Sequence, residues 1–355
     1  MMKHYFHYFL TIFLGISISA FAQDIAIIPP DVYQLYQELY EYDPNIPDQY
    51  QNFWKHLDKL VKNEDMRLLA HDFSLPIPVQ ADDTKYLYIF NNIPRWVEKN
   101  WQTKIKSIPK EKRVLVMWEP VVFMPKMYEK DTYALFDKIL TFDDDLVDNV
   151  KFFKFNYPVL RPMIENRPKF SQKRLLTQIS GNKTANGHFS KELYSERLKA
   201  IRFFEKHAEF EFDFYGTGWN AKKYRNYKGA PADKLETLKN YKFSLCFENT
   251  KNVKGYITEK IFDCFAAGCV PVYLGASNIN QYIPKDCYIA FDQKKGYPNL
   301  LIELITMSED RYDRYIKAIS CFLKSKQAMR FSQMHVAKMI YKVIKPKPIQ
   351  TPEDL

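Results

Sequence analysis

YKFSLCFENTKNVKGYITEKIFDCFAAGCVPVYLG, Tyr241 to Gly275, is the stretch on which the reading of this chain turns. Residues 242–247 form an apolar run of strand length, ending in the polar group Glu248-Asn249-Thr250. A charged loop containing Gly255 follows, then Tyr256-Ile257-Thr258-Glu259-Lys260 opens an apolar-periodic helix, and residues 270–274 make a second buried strand. A strand, a loop and a helix start bearing Thr, Glu and Lys create a βα crevice suited to an anionic ligand. The helix N-terminus offers unpaired N–H groups and a partial positive charge. Crevices at the carboxyl ends of strands are also where α/β sheets bind nucleotides.

Working outward, residues 85–90, 113–117, 138–142 and 174–179 have the same buried-strand character. Residues 210–214 alternate apolar and acidic, which predicts a strand turned by Gly216 and Gly218. Helices are predicted over 50–63, 191–207, 233–241, 300–307, 310–325 and 327–343. Pro29, Pro30, Pro44 and Pro47 predict a loosely ordered start to the stretch 23–80. Strands alternating with helices in two halves predict an α/β protein of two parallel-sheet domains facing a cleft. The expected division is 1–22 as a signal peptide or signal anchor, 23–165 and 166–343 as domains, and 344–355 as a Lys/Pro tail. The basic stretch 161–174 is the expected linker. Within 1–22, Lys3 and His4 precede an apolar run, and Ala20-Phe21-Ala22 offers a small-x-small cleavage site. The run is short for a spanning helix, so cleavage is the first reading and an uncleaved anchor the second.

At 355 residues with 46% hydrophobic and 26% charged residues, the chain can build two cores and is not a disordered polymer. A net charge of +10 suits partners that are anionic. The basic residues are dispersed, with no arginine-rich arm, zinc-finger spacing or ribonucleoprotein motif, so nucleic acid is not the expected partner. The five cysteines, all between Cys246 and Cys321, lack a Cys-x-x-Cys pair and read as buried free thiols. Asp143-Asp144-Asp145 has the pattern of a manganese-binding Asp-x-Asp, but also that of an acidic turn starting a helix. No metal site is expected. Asn182-Lys183-Thr184 is a glycosylation sequon, meaningful only in a eukaryotic secretory pathway.

Phe247-Glu248-Asn249-Thr250, then Tyr256-x-Thr258-Glu259-Lys260, then Pro271-Val-x-x-Gly275 resemble the donor-binding motif of the α-1,3/1,4-fucosyltransferase family. The similarity extends over about residues 85–290. It includes the arginine-bearing helix and Asp213-Phe-Tyr-Gly216, and the strand-then-Glu loop at Val114-Leu-Val-Met-Trp-Glu119-Pro120. Many relatives carry Gly-Glu-Asn where this chain has Trp118-Glu119-Pro120. The resemblance implies a GT-B fold, two Rossmann-like domains with acceptor bound by the first and GDP-fucose by the second. It implies inverting transfer of L-fucose from GDP-β-L-fucose to a hydroxyl, O3 in the first reading, of N-acetylglucosamine or glucose in a glycan. Glu119 would be the general base and Trp118 would face the acceptor. Arg197, with Arg202 as its rival, would reach the pyrophosphate, joined by Asn249, Tyr256, Glu259 and Lys260. Glu259 can accept two ribose hydroxyls and Lys260 gives the phosphates a point charge. Read without the resemblance, Thr258-Glu259-Lys260 is good helix capping. No cofactor is expected beyond the donor substrate. Another nucleotide sugar, or an inactive glycan-binding protein of the same fold, are the alternatives. The N-terminal segment implies membrane association or secretion, in a Golgi if eukaryotic and in the envelope if bacterial.

Overall fold

The computed structural model describes residues 23–28, 53–64, 66–70, 86–92 and 101–345. The expected signal segment 1–22 and nearly all of the tail lie outside these residues. Two all-parallel sheets form the framework. The first contains Gln23–Ile28 (β1), Met66–Ala70 (β2), Tyr86–Asn91 (β3), Arg113–Met117 (β4), Lys138–Thr141 (β5) and Phe152–Lys154 (β6). The second contains Arg174–Ile179 (β7), Phe212–Tyr215 (β8), Tyr241–Phe247 (β9), Val270–Leu274 (β10) and Ile289–Ala290 (β11). Their orders are β2-β1-β3-β4-β5-β6 and β11-β10-β9-β7-β8. Strand β4 is buried at all five positions, as expected of a strand covered by helices on both faces. In the second sheet the chain runs from β7 outward to β8, then returns to place β9 on β7's other side. The crevice beyond the ends of β7 and β9 is therefore a topological switch point, the ligand position in open α/β sheets.

Several elements differ from the sequence expectations. Residues 23–28 and 66–70 are paired strands of the first sheet, so the stretch 23–80 contributes structure at both ends. The expected helix over 327–343 is split: Ala328–Phe331 is a 3-10 turn, and Ser332 caps a new helix, Gln333–Ile344, its hydroxyl accepting from the His335 N–H at 3.2 Å. That last helix, expected within the second domain, packs instead on helix Phe53–Lys62. Val336, Ala337, Ile340, Val343 and Ile344 join Phe53, Trp54, Leu57 and Val61 in the first domain's core. The basic stretch 161–174 is docked rather than free. Ile164 N–H donates to Ala266 O at 2.8 Å, and Arg161 pairs with buried Asp263 at 3.4 Å. Of the cysteines, Cys246, Cys264, Cys269 and Cys287 are buried but Cys321 is exposed. No described helix is long and apolar enough to cross a membrane.

The domains meet along a polar and aromatic seam. The Asp143-Asp144-Asp145 segment is a turn, not a helix start. The Asp144 carboxylate pairs with Lys154 at 2.6 Å and accepts from Tyr282 Oη at 2.7 Å and Asn278 Nδ2 at 2.8 Å. Asp145 pairs across the seam with Lys254 at 2.7 Å. Beside them, Phe142 and Tyr157 from the first domain's side meet Tyr256, with ring centroids 4.8 and 6.1 Å apart.

Candidate active site

The loop after β9 builds one half of the site. Glu248 is fully buried, and its two oxygens accept from the Thr258 N–H at 2.9 Å and the Thr258 hydroxyl at 2.8 Å. The helix starts at Glu259, three residues later than the Tyr256 opening expected from sequence. Thr258 occupies the N-cap position but turns its hydroxyl to Glu248, so helix capping does not account for it. Gly275 makes room for this clamp: a Cβ there would lie 2.6 Å from Glu248 Cγ and 2.5 Å from Tyr273 Oη. A buried carboxylate needs a counter-charge, and Lys260 supplies it, with Nζ 3.3 Å from Glu248 and 3.3 Å from Glu259. Burial pushes the Glu259 carboxyl up, but Lys260 and Lys234 outweigh it and bring its pKa down to about 2. Burial likewise works against the charged Lys260, and Glu259 and Glu248 reverse the effect and raise it.

Helix Tyr194–His207 supplies the other cation. Arg197 lies in its first turn, 5% exposed, and donates through Nε and Nη2 to Phe247 O at 3.2 and 2.7 Å and through Nη2 to Asn249 Oδ1 at 2.9 Å. The Tyr194 ring lies 5.2 Å from the guanidinium carbon, a cation–π distance. Arg202 is exposed, so of the two arginines only Arg197 enters the crevice. The fold thus brings Arg197, Asn249, Glu259 and Lys260 together at the switch point. Tyr256 is different: only 2% exposed, it packs in the interdomain seam, where its ring orders the loop.

Trp118 is likewise engaged in packing. Its ring contacts Phe53, Phe155 and Tyr157 at 5.6, 4.8 and 5.6 Å, and its indole N–H donates to Asn91 Oδ1. Glu119 follows it at the carboxyl end of β4, half-buried, with its carbonyl accepting from Tyr128 Oη at 3.0 Å. The phenols of Tyr157 and Tyr256 are held well above their ordinary pKa. Burial is the main cause, and the Glu119, Glu248 and Glu259 carboxylates add to it. The charges of Glu119 in the first domain and Glu259 in the second therefore both act on the same two phenols.

Two cavities open here. One of about 720 Å³ lies over the switch point, lined by Gly181, Asn182, His188, Tyr194, Arg197 and Trp219 among others. A second of about 290 Å³ lies between the domains beside the Glu119 turn. Phe189 and Ser190 line both. The loop 180–190 forms this shared wall and crosses to the first domain, where Asn186 donates from its backbone to Val122 O at 2.9 Å and from Nδ2 to Phe123 O at 2.6 Å. From sequence this segment reads only as a Gly/Asn/Ser-rich loop, and Trp219 carries no motif. The buried Glu248 clamp also escapes a reading that treats acidic residues as ligands. Its sequence signals are its place in Phe247-Glu248-Asn249-Thr250 and its position directly after an apolar run.

Residues 178–343 match the family model described as the C-terminal part of glycosyltransferase family 10 (fucosyltransferase). A putative fucosyltransferase-like protein of Arabidopsis thaliana is 44% identical over 88 residues, 25% of this chain and 16% of that one. Mouse alpha-(1,3)-fucosyltransferase 7 is 38% identical over 81 residues, 22% of this chain and 21% of its own length. The chain thus spans about a sixth to a fifth of these curated relatives. A crystal structure of an α1,3-fucosyltransferase superposes with a TM-score of 0.52 at 15% identity, covering 96% of this chain and 95% of that one. The DNA-modifying enzyme β-glucosyltransferase superposes with a TM-score of 0.56 at 12% identity, covering 91% and 100%. At such identities the likeness is one of fold, and the fold is the two-domain GT-B arrangement.

Proposed function

From the match of residues 178–343 to the family model of glycosyltransferase family 10 (fucosyltransferase), we propose that the chain is a member of that family and an inverting α-1,3-fucosyltransferase. It would move L-fucose from GDP-β-L-fucose to O3 of N-acetylglucosamine or glucose in a glycan. The observation that supports this reading is the grouping of Arg197 with Asn249 and of Lys260 with Glu259 beside the switch point, with Glu119 at the carboxyl end of β4 in the other domain. Arg197 and Lys260 would hold the diphosphate and take up the charge that grows on it as the C1–O bond breaks. Glu259, ionised down to about pH 2, would accept the ribose hydroxyls. Glu119 would take the proton of the acceptor hydroxyl as that oxygen bonds to C1 from the opposite face, leaving GDP. Tyr256 and Trp118 would support the site by packing. The N-terminal segment 1–22 would direct the protein into a secretory pathway or to a membrane, Golgi or bacterial envelope.

The test is GDP release from GDP-fucose by protein lacking residues 1–22, with and without N-acetyllactosamine, in EDTA. The expected result is acceptor-dependent release that EDTA leaves intact. Release from UDP-sugars instead would identify a different donor. Glycan binding without release from any nucleotide sugar would identify a glycan-binding protein of this fold.

A further inference from the structure

The acidic turn Asp143-Asp144-Asp145 stands outside the donor and base roles, and its middle residue sits where two loops meet. Asp144 follows β5, which pairs with β4 in a register that sets Met117 beside Thr141, so Asp144 and Glu119 leave neighbouring strands. The other loop belongs to the second domain and runs from Glu248-Asn249 to the helix start at Glu259. Asn278, beyond β10 and 9% exposed, joins the two. Its Oδ1 accepts the Gly255 N–H at 2.9 Å, and its Nδ2 donates to Asp144 Oδ2 at 2.8 Å and to Gln281 Oε1 at 3.2 Å. The Asp144 N–H also donates to Lys254 O at 3.1 Å. Behind the carboxylate, Lys154 Nζ lies 2.6 Å from Oδ1 and donates to Phe142 O at 2.5 Å. Burial pushes the Asp144 carboxyl up, but Lys154, Tyr282 and Asn278 outweigh it and hold it below its ordinary value. A Cβ on Gly255 would crowd Phe142 O, Lys154 Nζ and Asp144 Oδ1, so the loop lies directly against the turn.

The contacts that shape the proposed donor half, Thr258 to Glu248 and Arg197 to Asn249, lie within the second domain, whereas Glu119 lies in the first. The distance between the halves is set by what ties the domains together, and Asp144 ties the donor loop itself. Reacting groups misplaced by about 1 Å cost a transfer roughly 10²-fold. We propose that Asp144 is a positioning residue for transfer: through Asn278 it fixes the 248–258 loop against the strand pair that carries Glu119, and it touches neither substrate. The inference rests on the transferase reading above and goes beyond it. A residue that only glued the domains would act on stability. This relay acts on turnover and leaves donor affinity in place.

The experiment measures kcat for GDP release at saturating GDP-fucose and N-acetyllactosamine, the dissociation constant for GDP by calorimetry, and the melting temperature. In Asp144→Asn the Lys154 ammonium claims the amide oxygen, which turns the new N–H₂ group on Asn278 Nδ2, donor against donor. Adding Asn278→Asp reverses the relay: the new carboxylate accepts both the Gly255 N–H and that amide, while Gln281 can turn its own amide to donate. The expected outcome for Asp144→Asn is a kcat lower by about tenfold or more, with GDP affinity within about twofold of wild type, and a double variant that recovers most of the loss. Should Asp144→Asn alone melt below the assay temperature, Asn278→Ala breaks the relay from the other side and is read in the same way. An unchanged kcat overturns the assignment, and wild-type turnover then still keeps the transferase reading. GDP affinity that falls as far as kcat overturns it too, as does a folded double variant no faster than the single one. Wild-type protein that releases no GDP sinks the transferase reading and the positioning role together.

Discussion

A neutral hydroxyl attacks poorly unless its proton has somewhere to go, which makes Glu119, the proposed base, the most exacting position in the proposed site. Glu119→Gln keeps the side chain's shape and removes its basicity. It should lower transfer by about 10²- to 10⁴-fold while leaving the dissociation constant for GDP within twofold, read by calorimetry. Near-wild-type turnover would remove Glu119 from its role as base. Lys260→Ala acts on two things at once. It takes a cation from the proposed diphosphate site, so on that proposal donor KM should rise at least tenfold. It also strips Glu248 of its counter-charge, and uncompensated buried carboxylates cost on the order of 3 kcal/mol, visible as a lower urea midpoint. Glu259 gives a pH signature. Its folded pKa, about 2, lies below the unfolded value of 4.5, so its stabilising contribution is complete above pH 4.5 and drains away as pH falls toward 2. The urea midpoint of wild type should exceed that of Glu259→Gln above pH 4.5 and converge on it below. A gap that persists undiminished to the acid limit would mean the Lys260 pairing is not what holds the carboxyl down.

At the scale of elements, the loop between β9 and the following helix is the most constrained piece of backbone. Gly255 has φ +76°, where side chains are strained, and a Cβ there would collide with Phe142 O and the Lys154 ammonium. Gly255→Ala should therefore cost roughly 1–3 kcal/mol, seen in thermal unfolding, and loosen the seam with it. A melting temperature equal to wild type would show that the loop can be set back from the first domain without cost. The strands that bear the site, β4, β7, β9 and β10, were legible because each is a compact apolar run bounded by polar residues. The outer parts of the first sheet were not. Strand β1 follows directly on the apolar N-terminal segment and merges with it, β2 (MRLLA) has no β-branched residue, and β6 is three residues long. Motif spacing predicted that Arg197, Asn249, Glu259 and Lys260 converge. It gave no sign that the Tyr256 and Trp118 rings are packed as well, because their contacts with Phe142, Phe155 and Tyr157 lie far away in sequence.

On the scale of the whole molecule, the described residues join the domains at several places: the chain through 155–173, the Asp144 and Asp145 seam, the 180–190 loop through Asn186, and the last helix returning to the first core. Burying a Val or Ile side chain contributes about 1.5–3 kcal/mol, so the buried Val336, Ile340, Val343 and Ile344 of Gln333–Ile344 are a substantial part of this core. Ile340→Asp should expose helix Phe53–Lys62 and make the first domain the earliest site of limited proteolysis, whereas cleavage beginning in the second domain would contradict this packing. The same helix sets a timetable for the newborn chain. Its partners at Phe53, Trp54, Leu57 and Val61 leave the ribosome about 280 residues before Ile340 does, a wait of roughly 15–55 s at ordinary elongation rates. Through that interval the first domain carries an open apolar face that only the final stretch of synthesis can cover, and holding it clear of aggregation falls to the cell's chaperones.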